Sequence, residues 1–282
     1  MMIVSDVAEL RRRVAQARAA GARIGLVPTM GFLHEGHLRL VEHARERAEL
    51  VVMSVFVNPL QFGPSEDFAR YPRDMEGDVA KARAAGVDLL FTPSVAAMYP
   101  ADASTTVVPA RLDQRWEGEV RPGHFGGVCT VVAKLFNLVQ ADVAVFGQKD
   151  VQQVTIVRAM VRDLNFPVEL VVAPTVREPD GLALSSRNSY LSPPDRVRAL
   201  ALSRALGAAA AAFAAGTRDA AAIEDAGRRV LARDAGVTPD YFAVVDPTTL
   251  EPVARAAADS LVLVAARIGT TRLIDNLVLG TG

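Results

Sequence analysis

The sequence predicts an α/β protein: a doubly wound parallel sheet with helices on both faces over residues 1–175, then a smaller C-terminal α+β domain over 176–282. Three observations carry this. The strands are continuous apolar runs, such as Leu50-Val-Val-Met-Ser-Val-Phe-Val57, which suits strands buried on both faces. They alternate with helical segments, as parallel crossovers require. Near residue 175 the character changes: Pro174, Pro179, Gly181, Pro193 and Pro194 crowd one stretch, and the chain beyond it is alanine-rich helix and then strand.

Taken in order, Val4–Ala20 reads as a helix with Ser5 or Asp6 at its start. A strand comes next at Arg23–Val27, then a helix of strong formers from Glu35 to about Ala48, and the strand Leu50–Val57. Asp74–Ala85 reads as a helix closed by Gly86 at the C′ position. Val87–Phe91 is a short strand, and Phe125–Leu138 an amphipathic helix. The strand Ala141–Phe146, the helix Asp150–Arg162 and the strand Val168–Ala173 complete the first domain. Beyond the prolines come helices over Asp195–Ala215 and Arg218–Ala235, where the alanine run at 208–212 is a helix former rather than disordered sequence. Tyr241–Val245, Leu261–Ala266 and Thr271–Leu279 read as strands, partly antiparallel.

Composition narrows the function classes. The chain has 282 residues, half of them apolar and 22% charged, enough for a real core. A net charge of -1 gives no global attraction to nucleic acid or to anionic lipid. The single cysteine, Cys129, excludes an internal disulfide and sits on an apolar helical stretch that marks it as core. No apolar run is expected to span a bilayer, and the N-terminus lacks a charged-then-apolar secretory pattern, so the expected location is the cytoplasm.

Polar residues concentrate where strands hand over to helices. In Pro28-Thr-Met-Gly-Phe-Leu-His-Glu-Gly-His37 the apolar strand stops at the proline, two glycines come after it, and a helix begins at Glu35. His34 and His37 therefore stand where helix N–H groups and the positive end of the dipole meet a ligand. Singly, each would be a solvent-capped helix-start histidine; as a pair beside two glycines at a strand end they suit a polyphosphate. No cysteine or third histidine lies at zinc-ligand spacing. Phe56-Val-Asn-Pro-Leu-Gln-Phe62 closes the second strand, and Phe146-Gly-Gln-Lys-Asp150 occupies the same topological position later. Lys149 alone would be a solvated lysine at a helix start, where its charge is disfavoured; an anion nearby removes that conflict. Arg121-Pro-Gly-His-Phe125 opens a helix, and His124 there either satisfies its loop or lines the site together with Arg121. Leu184-Ser-Ser-Arg-Asn188 lies in the proline-rich linker, where its bland reading is a plain turn.

These five strings, in this order and spacing, resemble the pantoate–β-alanine ligase family, which carries the His-x-Gly-His motif of the wider nucleotidylyltransferase superfamily. The resemblance covers essentially the whole chain. It implies a Rossmann-like nucleotide- and pantoate-binding domain over 1–175 and a lid-like domain over 176–282. It also implies an ATP-dependent condensation of pantoate with β-alanine to pantothenate, through pantoyl adenylate, with release of pyrophosphate and AMP. By residue it assigns ATP to Met30, Gly31, Phe32, Leu33, His34, Glu35, Gly36 and His37, to Gly147, Gln148, Lys149 and Asp150, to Val176, and to Leu184, Ser185, Ser186 and Arg187. His37, His34 and Lys149 become the catalytic candidates. Gln61, Gln153 and Asn58 become the substrate-binding ones. A glutamine amide can donate to a carboxylate or hydroxyl without adding charge. Leu184 stands where the family often has methionine, an exchange of similar volume. No acidic cluster reads as a metal cage, so Mg²⁺ is expected on the ATP phosphates. The family implies a homodimer, with no nucleic-acid or membrane partner.

Two other readings compete. A nucleotidylyltransferase acting on a phosphorylated acceptor would call for more basic residues than the glutamine pair offers. A non-catalytic nucleotide-binding regulator would not need both histidines and Lys149.

Overall fold

The computed structural model describes residues 1–64 and 66–281. The chain divides into two compact units, residues 1–147 with 152–174, and residues 148–151 with 175–282. It crosses between them three times rather than once near residue 175.

The first unit runs β1 (Met2–Val4), α1 (Val7–Ala19), β2 (Ile24–Thr29), α2 (Glu35–Arg45), β3 (Leu50–Val55), α3 (Met75–Ala84) and β4 (Leu89–Phe91). Two single-turn helices, α4 (Val95–Met98) and α5 (Glu117–Val120), precede α6 (His124–Val139), β5 (Val143–Gly147), α7 (Val151–Asp163) and β6 (Glu169–Ala173). The six strands form one sheet in the order β1-β4-β3-β2-β5-β6, with every pairing parallel. The expected helix over Val4–Ala20 is thus shorter. Asp6 caps it by accepting the Glu9 N–H at 2.8 Å, while Met2–Val4 pairs with β4 as an edge strand. Three residues are too few for any apolar period to show.

Strand order reverses between β2 and β5, the position where an open parallel sheet offers a crevice at its carboxyl edge. The ladder makes room there. β2 pairs with β3 from Ile24 to Thr29, but with β5 only at Gly25 and Leu26. Pro28 has no N–H to lend to a longer ladder. Apolar clusters fill both faces of the sheet. One contains Leu26, Val52, Phe91 and most of α6; the other contains Val27, Leu40, Val41, Met53 and Leu90. The expected amphipathicity of α6 does not translate into an exposed face: the helix is buried on nearly all sides, and Asn137 is its exposed residue. Cys129 is in this core, where burial pushes its thiol up to about 12.

The second unit contains α8 (Pro193–Arg198), α9 (Leu200–Ala214), α10 (Ala220–Leu231), β7 (Val237–Val245), β8 (Leu261–Ile268) and β9 (Thr271–Val278). Its strands form a sheet in the order β7-β8-β9, antiparallel throughout. The expected helix 195–215 is interrupted at Ala199. Contrary to the composition-based expectation, Pro193–Ala214 is long and apolar enough to cross a membrane by length and composition. Leu200, Leu202, Ala205, Leu206 and Phe213 of this stretch are packed in the unit's own core with Ile223, Phe242 and Val264.

Candidate active site

The loop from β2 into α2 is shaped from below. Thr29 Oγ1 donates to Ser54 O at 2.6 Å and accepts the Gly31 N–H at 3.2 Å, which fixes where the loop leaves the sheet. Gly31 then takes φ +85°, and a Cβ there would lie 2.8 Å from both Asp78 Oδ2 and Val55 Cγ1, so only glycine fits. Phe32 comes next with φ 50°. The two residues turn the Phe32 and Leu33 N–H groups onto one carboxylate: Asp78 accepts them at 2.8 and 2.6 Å. Asp78 lies on α3 and is 1% exposed.

His34 is the N-cap of α2, and its N–H donates to His37 Nδ1 at 3.3 Å. With Nδ1 accepting, Nε2 is the ring nitrogen of His37 left to carry a proton. The imidazoles of His34 and His37 lie 4.0 Å apart between centroids. The Glu35 and Gly36 N–H groups belong to the first turn of the helix, where no intrahelical acceptor exists. The Glu35 side chain points outward and pairs with Arg39 at 3.5 Å.

Beside this loop sits a buried polar cradle. Gln61 closes the turn after β3, 8% exposed. Its Oε1 accepts Asn58 Nδ2 at 3.1 Å, and its Nε2 donates to Met30 Sδ at 3.1 Å. Asn58 is saturated: Nδ2 also reaches Gly127 O at 3.0 Å, while Oδ1 accepts Leu60 N at 3.2 Å and Tyr99 O–H at 2.8 Å. Asn58 thus holds Gln61, with both donors and both acceptor positions of its amide filled within the protein. Burial raises the Tyr99 phenol, which keeps it a donor.

The Gln61 carbonyl is clamped from the other side. It accepts His124 Nδ1 at 2.8 Å and Arg121 at 3.2 Å. His124 Nε2 in turn accepts from Arg121 at 3.0 Å. Burial, then the neighbouring Arg121 charge, lowers His124 to about 4, so the ring is neutral with its proton on Nδ1. Arg121 is itself paired with Glu66 at 2.9 and 2.7 Å. Gly127 lets α6 come this close, since a Cβ there would lie 2.2 Å from Leu60 O.

Gln148, Lys149, Asp150, Val176 and the stretch from Leu184 to Arg187 belong to the second unit, while Gly147 and Gln153 belong to the first. Lys149 lies in a 3₁₀ turn over Gln148–Asp150, its Nζ 3.6 Å from Asp150 Oδ1. Val176 and Leu184 are neighbours, the Leu184 N–H donating to Val176 O at 3.0 Å. Arg177 and Ala183 bridge just beyond, and Gly181 at φ 96° makes the reversal. Ser185 caps the turn Ser186–Tyr190 by accepting the Arg187 N–H at 3.2 Å. Ser186 is buried in that turn.

Comparison with known proteins settles the family. The family model described as pantoate-beta-alanine ligase matches residues 2–278. The chain belongs to the pantoate–β-alanine ligase family. The pantothenate synthetase of Anaeromyxobacter dehalogenans (strain 2CP-C) is 56% identical over 281 residues, covering 97% of each chain. That of Chloroflexus aurantiacus is 55% identical, covering 99% of this chain and 98% of the relative. The crystal structure of pantothenate synthetase from Thermus thermophilus matches with a TM-score of 0.95 at 54% identity, over 99% of both chains. The Francisella tularensis pantoate-beta-alanine ligase, solved in complex with beta-gamma ATP and beta-alanine, matches at TM-score 0.82 and 30% identity, over 100% of this chain and 99% of that one. The activity of the chain is that of its family, ATP-dependent amide formation between pantoate and β-alanine.

Within this ligase the sequence-derived residues separate by what they can still do. The Phe32 and Leu33 N–H groups are used by Asp78, and Leu33 is core. Of the adjacent glutamines, Gln152 is structural: it holds Glu117 N, Leu112 O and Arg115 O. Gln153 is half-buried on the same helix. Reasoning from sequence missed Asp78, Tyr99 and Glu66 altogether, and it left His124, with Arg121, open between satisfying its loop and lining the site. The Arg121-Pro-Gly-His-Phe125 string was the available signal for the last two; Asp78 gave none, since an acidic residue in a helix's first turn is ordinary.

Proposed function

We propose that this ligase works through a pantoyl adenylate, with His34, His37, Lys149, Ser185, Ser186 and Arg187 on the ATP phosphates and Gln61 and Gln153 on pantoate. The observation that carries the reading is the locked amide of Gln61. Its Oε1 is held by Asn58 and its backbone carbonyl by His124, which leaves Nε2 as a fixed neutral donor beside Met30.

In the first step a pantoate carboxylate oxygen bonds to the α-phosphorus and the bond to the bridging oxygen of pyrophosphate breaks. The carboxylate is already ionised at neutral pH, so no base is needed. What the step needs is alignment and donors for charge moving onto the phosphate oxygens. His37 supplies one such donor, its Nε2–H, with the ring oriented by the His34 N–H. Lys149 and Arg187 supply cationic groups. In the second step the neutral amine of β-alanine attacks the acyl carbon, the C–N bond forms, AMP leaves, and the amine proton passes to solvent. Among the described residues no group of three His, Cys, Asp or Glu is placed to hold a metal ion; we assign magnesium to the substrate, entering as MgATP.

We further infer a cytoplasmic homodimer, supported by the chain's family. The decisive test is exchange of labelled pyrophosphate into ATP. It should depend on pantoate and proceed without β-alanine. Exchange independent of pantoate, or requiring β-alanine, would overturn the adenylate route.

A further inference from the structure

The Lys149 turn is held by a side chain more than a hundred residues away. Asn276, on β9 and 2% exposed, donates from Nδ2 to the carbonyls of Gln148 and Lys149 at 2.9 Å each. These carbonyls belong to a single 3₁₀ turn, where regular backbone bonds are few. The donor side of the amide is the side the fold uses, because Asn276 Oδ1 accepts no hydrogen bond from any described residue.

The backbone around Asn276 is also anchored. Its N–H donates to Asp275 Oδ1 at 2.8 Å, and Asp275 is gripped by Arg177 at 2.6 and 2.9 Å. Arg177 follows Val176 and bridges to Ala183, beside Leu184. Within this unit one strand thus ties together the Lys149 turn and the arm carrying Val176 and Leu184. A long lysine side chain loses considerable freedom when it holds an anion, and a fixed backbone limits that loss.

We propose that Asn276 is a positioning residue for nucleotide binding, acting through Lys149. The inference rests on the assignment of Lys149 to the ATP phosphates. The test is calorimetric titration of the intact protein with magnesium and α,β-methylene ATP. The isosteric Asn276→Asp keeps the shape, removes both donors and sets a carboxylate against two carbonyls. It and Asn276→Ala should weaken binding about tenfold, the worth of two buried hydrogen bonds. The KM for pantoate should stay within about twofold. In a Lys149→Ala background the same substitutions should change affinity less than about twofold, because the route is already cut.

Equal losses in both backgrounds, or no loss in either, overturn the inference. If neither Asn276 variant folds, as judged by thermal melting, the residue is a general structural element and the inference also fails. If Lys149→Ala alone leaves analogue binding unchanged, the assignment of Lys149 itself is wrong, an outcome separable from the others because it needs no change at Asn276.

Discussion

Asp78 reaches back across 45 residues of sequence to accept the Leu33 N–H at 2.6 Å, and its second oxygen takes the Phe32 N–H. A carboxylate from one crossover helix thereby sets the shape of the loop that delivers His34. Asp78→Asn turns one acceptor into a donor facing an N–H. Hydrogen bonds to a charged group are worth roughly 1.5–3 kcal/mol. The variant should melt at lower temperature, and its pantoate-dependent pyrophosphate exchange should fall at least about tenfold. Exchange at the parent rate would show that the loop keeps its shape without this anchor.

For His37, the expectation is a rate effect with little binding effect. On the proposed mechanism His37→Ala removes a donor to developing charge, a loss of about 10²–10³ in comparable sites. Pre-steady-state adenylation should drop by that order, while the Kd for ATP moves less than about threefold. An unimpaired rate would remove His37 from the chemistry.

Asn58 holds the Gln61 amide, which is proposed to bind pantoate. Asn58→Ala frees the Gln61 amide to rotate and leaves the Tyr99 hydroxyl without its acceptor. Steady-state kinetics should show the KM for pantoate raised about tenfold and the KM for ATP nearly unchanged. Gly127→Ala should produce the same selective defect by pushing α6 off the Leu60 carbonyl. Equal effects on both KM values would argue for general damage.

His124 links this cradle to pH. Its folded value, about 4, lies below the ordinary 6.5, so the unfolded chain binds the proton more readily. The resulting stability is fully present above about pH 6.5 and is lost as pH falls toward 4, on the order of 3 kcal/mol in all. His124→Asn can keep the donor to Gln61 O while removing the titration. Thermal melts from pH 7 to 4 should fall less steeply for this variant than for the parent. Parallel profiles would exclude His124 as the source.

The alternation of strands and helices was legible because parallel strands buried on both faces leave unbroken apolar runs, as at Leu50–Val55. The chemistry-bearing loops were legible because proline and glycine punctuate them at strand ends. The supports were not. Asp78, Tyr99 and Asn276 meet their partners across tens to more than a hundred residues, and no local spacing encodes such pairings. The same limit hid what holds Asn58: nothing local in the sequence says that its four hydrogen-bonding positions are filled inside the protein. At the N-terminus, Met2–Val4 is strand because β4 is there to receive it.

Residues 148–151 belong with the C-terminal unit although residues on both sides of them belong to the first. No single scission of the chain can therefore yield two intact pieces. A fragment begun at residue 175 would leave Asn276 with no carbonyls to bind, and a fragment ended there would carry an orphaned lysine turn. The halves of this ligase are not interchangeable modules: a hybrid made by joining its front to the back of a relative must match at a tetrapeptide as well as at the seam.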